Sequence, residues 1–342
     1  MSIEERKKDH IRICVEKSVE TPTAGFEDVF LINNSLPEMD LREIDTSTHF
    51  LGKTISIPLK IAAITGGAKQ AGDINRQLAE VAEKRNIIFE LGSQRAMIEN
   101  PSLTDTYCVR DVAPKAFITG NLGIFQLKKF TVKEIREAME HVGADAVSIH
   151  INPAQEAFQE KGDVDFTNLA FHLSNLCDSL PYPVIAKEVG AGICREVAHR
   201  LKGTRIKAID VGGYGGTNWM VIDGLRSGRE VDPFATWGIP TAISILESKV
   251  GLPIIATGGL RNGVDMAKSI ALGADICGMA LPFLRVLMQE GKQGLAHLID
   301  KIHRELKIAM FLTGSKNIEE LKKVPYVLSG KVKDWAEQRT VM

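Results

Sequence analysis

Eight short apolar runs alternate with amphipathic stretches between Ile57 and Gly314, and that alternation restricts the chain to βα units around a parallel sheet. The runs are IPLKIAAIT (57–65), IIFELG (87–92), AFITGNLG (116–123), ADAVSIHI (144–151), PVIAKEVG (183–190), IKAIDVG (206–212), PIIATGG (253–259) and ADICGMA (274–280). Eight such strands predict a closed (β/α)8 TIM barrel. Between the runs, Ile74, Leu78, Val81 and Ala82, and later Val132, Ile135, Met139 and Val142, recur at helical spacing and predict faces that pack on the barrel. After the last run, Leu295, Leu298, Ile302, Leu306 and Ala309 predict a closing helix with Gly314 as its stop. The expected organisation is an N-terminal arm over 1–56, a barrel over 57–314 and a C-terminal tail over 315–342. The connection 97–115 is irregular, and 214–239 is a long insertion after strand 6, long enough to form a lid.

Composition narrows the partners. With 42 basic and 43 acidic residues the net charge is -1, so no global field draws the chain to nucleic acid or an anionic membrane, and an anionic ligand must be held locally. The five cysteines are odd in number and include no CxxC pair, which argues against a disulfide framework or a thiolate zinc site. A charged N-terminus and no apolar run of bilayer length add to the expectation of a soluble, cytoplasmic protein.

In such a barrel the chemistry sits at the C-terminal strand ends, and phosphate is often held after strands seven and eight. The sixth run enters DVGGYGGTNW, where Gly212, Gly213, Gly215 and Gly216 allow positive φ and close approach of backbone N–H groups to an anion. A ligand-free flexible turn is the alternative. Two further strand-to-glycine junctions, at TGGLRNG and GADICGMA, favour one composite phosphate site. Lys187 lies inside an apolar run, where an ammonium group needs an anion or dipole to face it. A flavin ring would supply one, since its N1–C2=O edge gains negative charge on reduction; an outward-pointing lysine is the other reading. Thr65, Ser93 and Asn121 offer hydrogen bonds to the same ring. HINPAQE brings His150, Asn152, Gln155 and Glu156 to the fourth strand end, with Glu156 either a Mg2+ ligand or a helix-start acid. The cluster Arg6, Lys7, Lys8 and His10 is an anion clamp or a solvated helix face.

The chain resembles the type 2, FMN-dependent isopentenyl-diphosphate Δ-isomerases. The resemblance runs in order through RKKDHI, AAITGG, LGSQRA, TGNLG, HINPAQE, KEVGAGI, DVGGYGGTNW, TGGLRNG and GADICGMA. HINPAQE, GSQR and the N-terminal RKKDH are its specific parts; TGG and GADICGMA are shared with other FMN barrels. It implies interconversion of isopentenyl and dimethylallyl diphosphate in isoprenoid biosynthesis, with reduced FMN as the acid–base cofactor, Mg2+ on the diphosphate, NAD(P)H as reductant, and a homo-oligomer, tetramer or octamer. It further implies FMN binding by Ala63, Thr65, Gly66, Ser93, Asn121, Lys187, Gly212, Thr217, Gly258, Gly259, Arg261, Ala280 and Leu281, with Trp219 near the ring. Diphosphate would meet Arg6, Lys7, His10, Arg95, His150 and Asn152. Glu156 would hold the metal, and Gln155 would be the catalytic residue beside the allyl unit. No titratable side chain in that set is obviously acidic enough to protonate an alkene, which agrees with a flavin-borne acid. Gly212 departs from the resemblance, since a serine or alanine is common there.

Three other readings share parts of this pattern. A flavin 2-hydroxy-acid oxidase needs a histidine base beside a late strand-end arginine, and TGGLRNG has no histidine nearby. A purine-nucleotide dehydrogenase needs an exposed nucleophilic cysteine, whereas Cys277 lies in an apolar run. A non-enzymatic flavin or phosphate scaffold would have the glycine loops without a reactive cleft, and HINPAQE with the basic N-terminus argues against it.

Overall fold

The computed structural model describes residues 3–341 except 22, 160, 161, 229, 230 and 232, with side chains from residue 9 onward. The arm opens with α1 (Ile3–Glu16), followed by β1 (Val29–Leu31) and a hairpin of β2 (Thr48–Phe50) and β3 (Lys53–Ile55). The barrel follows as β4 (Leu59–Ile61), α2 (Lys69–Arg85), β5 (Ile88–Glu90), α3 (Arg95–Glu99), β6 (Phe117–Gly123), α4 (Val132–Val142) and β7 (Ala146–Ile151). It continues with α5 (Pro153–Phe158), α6 (Leu169–Ser179), β8 (Val184–Glu188), α7 (Arg195–Gly203), β9 (Ala208–Asp210), α8 (Trp219–Ser227), α9 (Thr241–Glu247), β10 (Ile254–Thr257), α10 (Gly263–Leu272) and β11 (Ile276–Met279). The last barrel helix, α11 (Leu281–Thr313), bends at Gly291 and stops at Gly314 in the left-handed conformation.

Strands β4 through β11 close into one parallel barrel, each a trimmed version of an expected run. The trimming is mostly at the C-terminal ends, where polar and glycine residues leave the hydrogen-bond ladder to form the barrel mouth.

Inward-facing residues change character in layers. At the bottom, Ile88, Phe117, Ala146, Ile185, Ala208, Ile255 and Ile276 pack with Phe50 and Ile55 of the β2–β3 hairpin, which plugs the barrel from below. Two residues further along each strand, on the same face by the strand period, stand Glu90, Thr119, Ser148, Lys187, Asp210, Thr257 and Gly278, with Lys60 completing the layer from β4. Another two residues on, Gly92, Asn121, His150 and Gly212 reach the mouth.

The C-terminal residues expected to form a tail are folded against the arm. They carry α12 (Ile318–Leu321), β12 (Tyr326–Leu328) and α13 (Gly330–Arg339). Strand β12 pairs antiparallel with β1, and Trp335 and Arg339 both bond Glu247 of α9. Among its described residues the insertion 214–239 contains α8 and a 3-10 turn at Phe234–Thr236, and α8 touches α1 and α5.

Candidate active site at the barrel mouth

One cavity opens at the C-terminal ends of the barrel strands, roofed by α1 and α8. The sequence-derived candidates on its wall are His10, Ala63, Thr65, Ser93, Arg95, Asn121, His150, Asn152, Gln155, Glu156, Lys187, Gly212, Thr217, Trp219, Gly258, Gly259, Arg261, Ala280 and Leu281. Gly66 is set back from it, because a Cβ there would stand 2.1 Å from the buried Tyr107 ring. The side chains of Arg6 and Lys7 lie outside the described residues. Their backbone belongs to α1, the helix that brings His10 to the cavity.

The glycine loops form a cradle by packing backbone on backbone. A Cβ on Gly258 would lie 2.0 Å from the Gly213 carbonyl oxygen, and one on Gly216 would lie 2.6 Å from the Gly259 nitrogen. Gly258 and Gly259 also have φ of 106° and 84°. Side chains are therefore excluded both sterically and conformationally. Gly212 adopts φ 47°, and a Cβ would meet the Glu188 carbonyl at 2.0 Å, so glycine suits the loop as this chain builds it. Beside the cradle, α11 starts at Leu281 without a side-chain cap, leaving helix-start N–H groups for an anion. Arg261 completes the corner, held by Glu20 of the arm, whose other oxygen takes a 2.8 Å bond from Arg285. Burial opposes the ionised form of Glu20, but the two guanidinium groups outweigh it and hold its pKa low. Arg285 also donates to the Cys14 and Lys17 carbonyls, so it ties the end of α1 to this corner.

His150 and Lys187 are register partners on adjacent strands. The Nδ1 atom of His150 lies 2.8 Å from Asn121 Oδ1; with Nδ1 as donor, Nε2 carries the lone pair. Burial, reinforced by the Lys187 charge and opposed by Glu90, lowers the His150 pKa to about 4 and keeps it neutral. Glu188 folds back onto the N–H groups of Val189, Gly190, Ala191 and Gly192 at 2.5–3.3 Å, and burial pushes it up to about 7 against those four donors.

Asn152, Gln155 and Glu156 are brought together by Pro153, which starts α5 directly after β7. Asn152 Nδ2 donates to Gln155 Oε1 (3.1 Å) and to Glu156 Oε1 (2.8 Å), and the Asp163 N–H bonds Glu156 Oε2 at 2.8 Å. Gln155 Nε2 donates in turn to Asp223 Oδ2 at 3.2 Å. Asp223, absent from the sequence-derived set, is fully buried on α8 and also meets His10 Nε2 at 3.4 Å and Arg226 Nε at 3.1 Å. Burial alone would raise its pKa, but bonds from His10, Gln155 and Arg226 prevail and keep it a carboxylate. The Trp219 ring stands edge-on to His10, with centroids 5.3 Å apart.

No group of three or more histidine, cysteine or acidic side chains gathers to hold a metal among the described residues. A Mg2+ ion that keeps ligand oxygens and waters in its shell needs only one or two protein carboxylates. Glu156 can supply one.

The barrel, its glycine cradle and its buried strand-end lysine define a flavin-binding class of protein, and residues 125–327 match the FMN-dependent dehydrogenase family. Among solved structures, a flavocytochrome b2 variant with sulfite bound superposes with TM-score 0.70 at 20% identity, over 94% of this chain and 83% of that one. A mandelate oxidase variant gives 0.67 at 17%, over 96% and 100%. At those identities the likeness speaks to fold alone. The isopentenyl-diphosphate delta-isomerase of Archaeoglobus fulgidus is 46% identical over 99% of this chain and 100% of its own length. That of Pyrococcus furiosus is 45% identical over 98% and 89%, and that of Methanosarcina mazei 44% over 98% and 94%. The chain belongs to the isopentenyl-diphosphate delta-isomerase family.

Proposed function

We propose that this protein interconverts isopentenyl and dimethylallyl diphosphate with FMN in its reduced state, Mg2+ on the diphosphate and NAD(P)H as the electron source. The observation that carries the reading is the convergence of Gln155, Asn152 and Glu156 with His10 and Arg95 on the cavity that also holds Lys187 and the glycine cradle. Bound and reduced, FMN supplies the acid–base group and an electron-rich surface for a cation-like transition state. The protein supplies the rest.

His10, Arg95 and Asn152 would bind the diphosphate, with Arg6 and Lys7 on the same helix as His10. Glu156 would take one coordination position on the metal. A dianionic phosphate beside His150 favours the protonated imidazole, which turns Nε2 from acceptor into donor. Gln155 is held at both ends, by Asn152 and by Asp223, so its amide keeps one orientation beside the allyl group. Asp223 Oδ2 is an ionised acceptor in direct contact with that amide and fixes its Nε2 end. Trp219 and His10 close the mouth, excluding water that would capture a cation. The phosphate of FMN would sit in the glycine cradle by Arg261 and the start of α11.

The histidines on the cavity wall, His10 and His150, come from the arm and from β7, and not from the arginine-bearing loop where hydroxy-acid oxidation would need a base. Among the described residues no helix is long and apolar enough to cross a membrane. A cytoplasmic homo-oligomer acting on a small isoprenyl diphosphate is the corresponding biological setting.

The test is anaerobic. Purified protein should be yellow, should turn over isopentenyl diphosphate only after reduction by NAD(P)H or dithionite, and should stop when Mg2+ is chelated. Glu156→Gln should raise the Mg2+ concentration needed for half-maximal rate. Oxidation of a 2-hydroxy acid without isomerisation would overturn the assignment.

A further inference from the structure

The middle layer of the barrel holds two lysines and two carboxylates. Lys60 Nζ lies 2.5 Å from Asp210 Oδ2 and 3.0 Å from Glu90 Oε2; Lys187 Nζ lies 2.9 Å from Glu90 Oε2 and 3.7 Å from Asp210 Oδ2. The Ala63 N–H donates to Glu90 Oε2 at 3.0 Å, and the Thr257 hydroxyl bonds Asp210 Oδ1. Lys60, Glu90 and Asp210 are wholly buried, and only Lys187, at 7% exposure, reaches the cavity. Gly278 makes room: a Cβ there would stand 2.6 Å from Thr257 Cγ2 and 3.4 Å from Lys60 Cε.

Packing gives no reason for this. The layer below shows that these strands can fill the barrel with isoleucine and phenylalanine, and replacing buried ion pairs by apolar residues is commonly neutral or stabilising. Burying Lys187 would need one carboxylate. The second ion pair, Lys60 with Asp210, is surplus to that need. What it does is compete: Lys60 shares both carboxylates with Lys187, so neither acid is wholly committed to the cation that faces the ligand. Of the four buried charges, which sum to zero, Lys187 is the one that reaches the cavity, and both of its carboxylates are shared with Lys60.

We infer that Lys60, Glu90 and Asp210 are positioning residues that set the reduction potential of the bound flavin, by fixing how much of the Lys187 charge is available to it. The inference rests on the FMN reading above. Reduction delivers two electrons and a proton to the ring and leaves negative charge at its N1–C2=O edge, which a nearby cation favours over the oxidised form.

The experiment measures the midpoint potential of the holoenzyme, with xanthine and xanthine oxidase as the two-electron source and a reference dye. Glu90→Gln leaves the layer with net +1 and should favour reduced over oxidised FMN at least tenfold, a rise of about 30 mV for a two-electron couple. Lys60→Met leaves net -1 and should move the potential down by a similar amount. The double variant, neutral again, should return to within threefold of the parent ratio. Thr257→Val alters no charge but removes a donor to Asp210, tightening that carboxylate on Lys187; it should lower the ratio about threefold, and it keeps the inference testable if a charge variant fails to fold. Shifts of the same sign in Glu90→Gln and Lys60→Met would overturn the inference. So would an unchanged ratio in FMN-loaded Thr257→Val. A parent protein that binds no FMN would instead refute the flavin reading itself.

Discussion

Asp223→Asn isolates the role of the carboxylate on α8 while leaving its shape in place. The structure gives Asp223 three charge-assisted contacts, to His10, Gln155 and Arg226. A hydrogen bond to a charged group contributes about 1.5–3 kcal/mol against about 1 for a neutral one, so each contact weakens by about 1 kcal/mol when the charge is removed. The Arg226 contact lies within α8 and bears on helix stability. The other two orient groups that face substrate, and together they set an expected loss of about 2 kcal/mol, or roughly thirtyfold in kcat/KM. Steady-state rates should be measured anaerobically with pre-reduced FMN and saturating Mg2+, alongside the FMN content of the purified variant. FMN content should be unchanged, because none of the three partners belongs to the glycine cradle or the Lys187 side of the cavity. In a Gln155→Ala background the same substitution should cost about half as much in free energy, since only the His10 contact then remains to be weakened. A change below threefold in the parent background, or equal losses with and without Gln155, would refute a role acting through that amide.

Two other perturbations probe the mouth and the cradle. His150 is neutral in the folded protein, with its pKa lowered from 6.5 to about 4 by burial and the Lys187 charge. Below pH 6.5 the unfolded chain takes up a proton that the folded one refuses, so stability falls as pH drops toward 4. By pH 4.5 the loss attributable to His150 should be about 2 kcal/mol relative to pH 7. Denaturant unfolding at both pH values should show the parent losing more stability than His150→Gln by that amount; an imidazole that titrates near 6.5 by NMR contradicts it. Gly213→Ala would place a methyl group 2.3 Å from Thr241 Oγ1 and 2.5 Å from Thr241 Cα, driving the glycine loop off the start of α9, whose Thr241 hydroxyl also bonds the Gly258 carbonyl of the cradle. It should weaken FMN retention at least tenfold, read by flavin absorbance after dialysis. Retention equal to the parent would show that the loops need not pack this closely.

What was legible in the sequence follows from how each feature is encoded. The eight strands announce themselves because both faces are buried, which makes each a nearly continuous apolar run. The cavity wall was legible for the same reason inverted: polar and glycine residues directly after such a run have nowhere to go but the mouth. Asp223 carried no comparable mark. It sits in an ordinary amphipathic pattern, and its partners lie 68 and 213 residues away, so only tertiary structure distinguishes it from a solvated helix acid. Strand β12 is three residues long and pairs with β1 across most of the chain, too short and too distant to leave a periodic signal.

The buried ion layer is the instructive intermediate. Lys60, Glu90 and Asp210 each interrupt an apolar run, and Lys187 alone of the four carries the mark of a strand-end cation. A period-two reading of IPLKI, IIFEL, VIAKE and AIDV sorts each charge onto one face of its strand, and the barrel register then sets two ammonium and two carboxylate groups in one layer above the apolar floor. Charges of both signs in equal number at one height of a closed barrel have to pair, because isolated burial of any one of them costs several kcal/mol. The order of the layers then follows from their neighbours. Apolar residues seal the bottom against solvent, and the ions need that seal to act through a low dielectric. The glycines come last, at the mouth, where backbone is open to approach and the charged layer lies directly beneath.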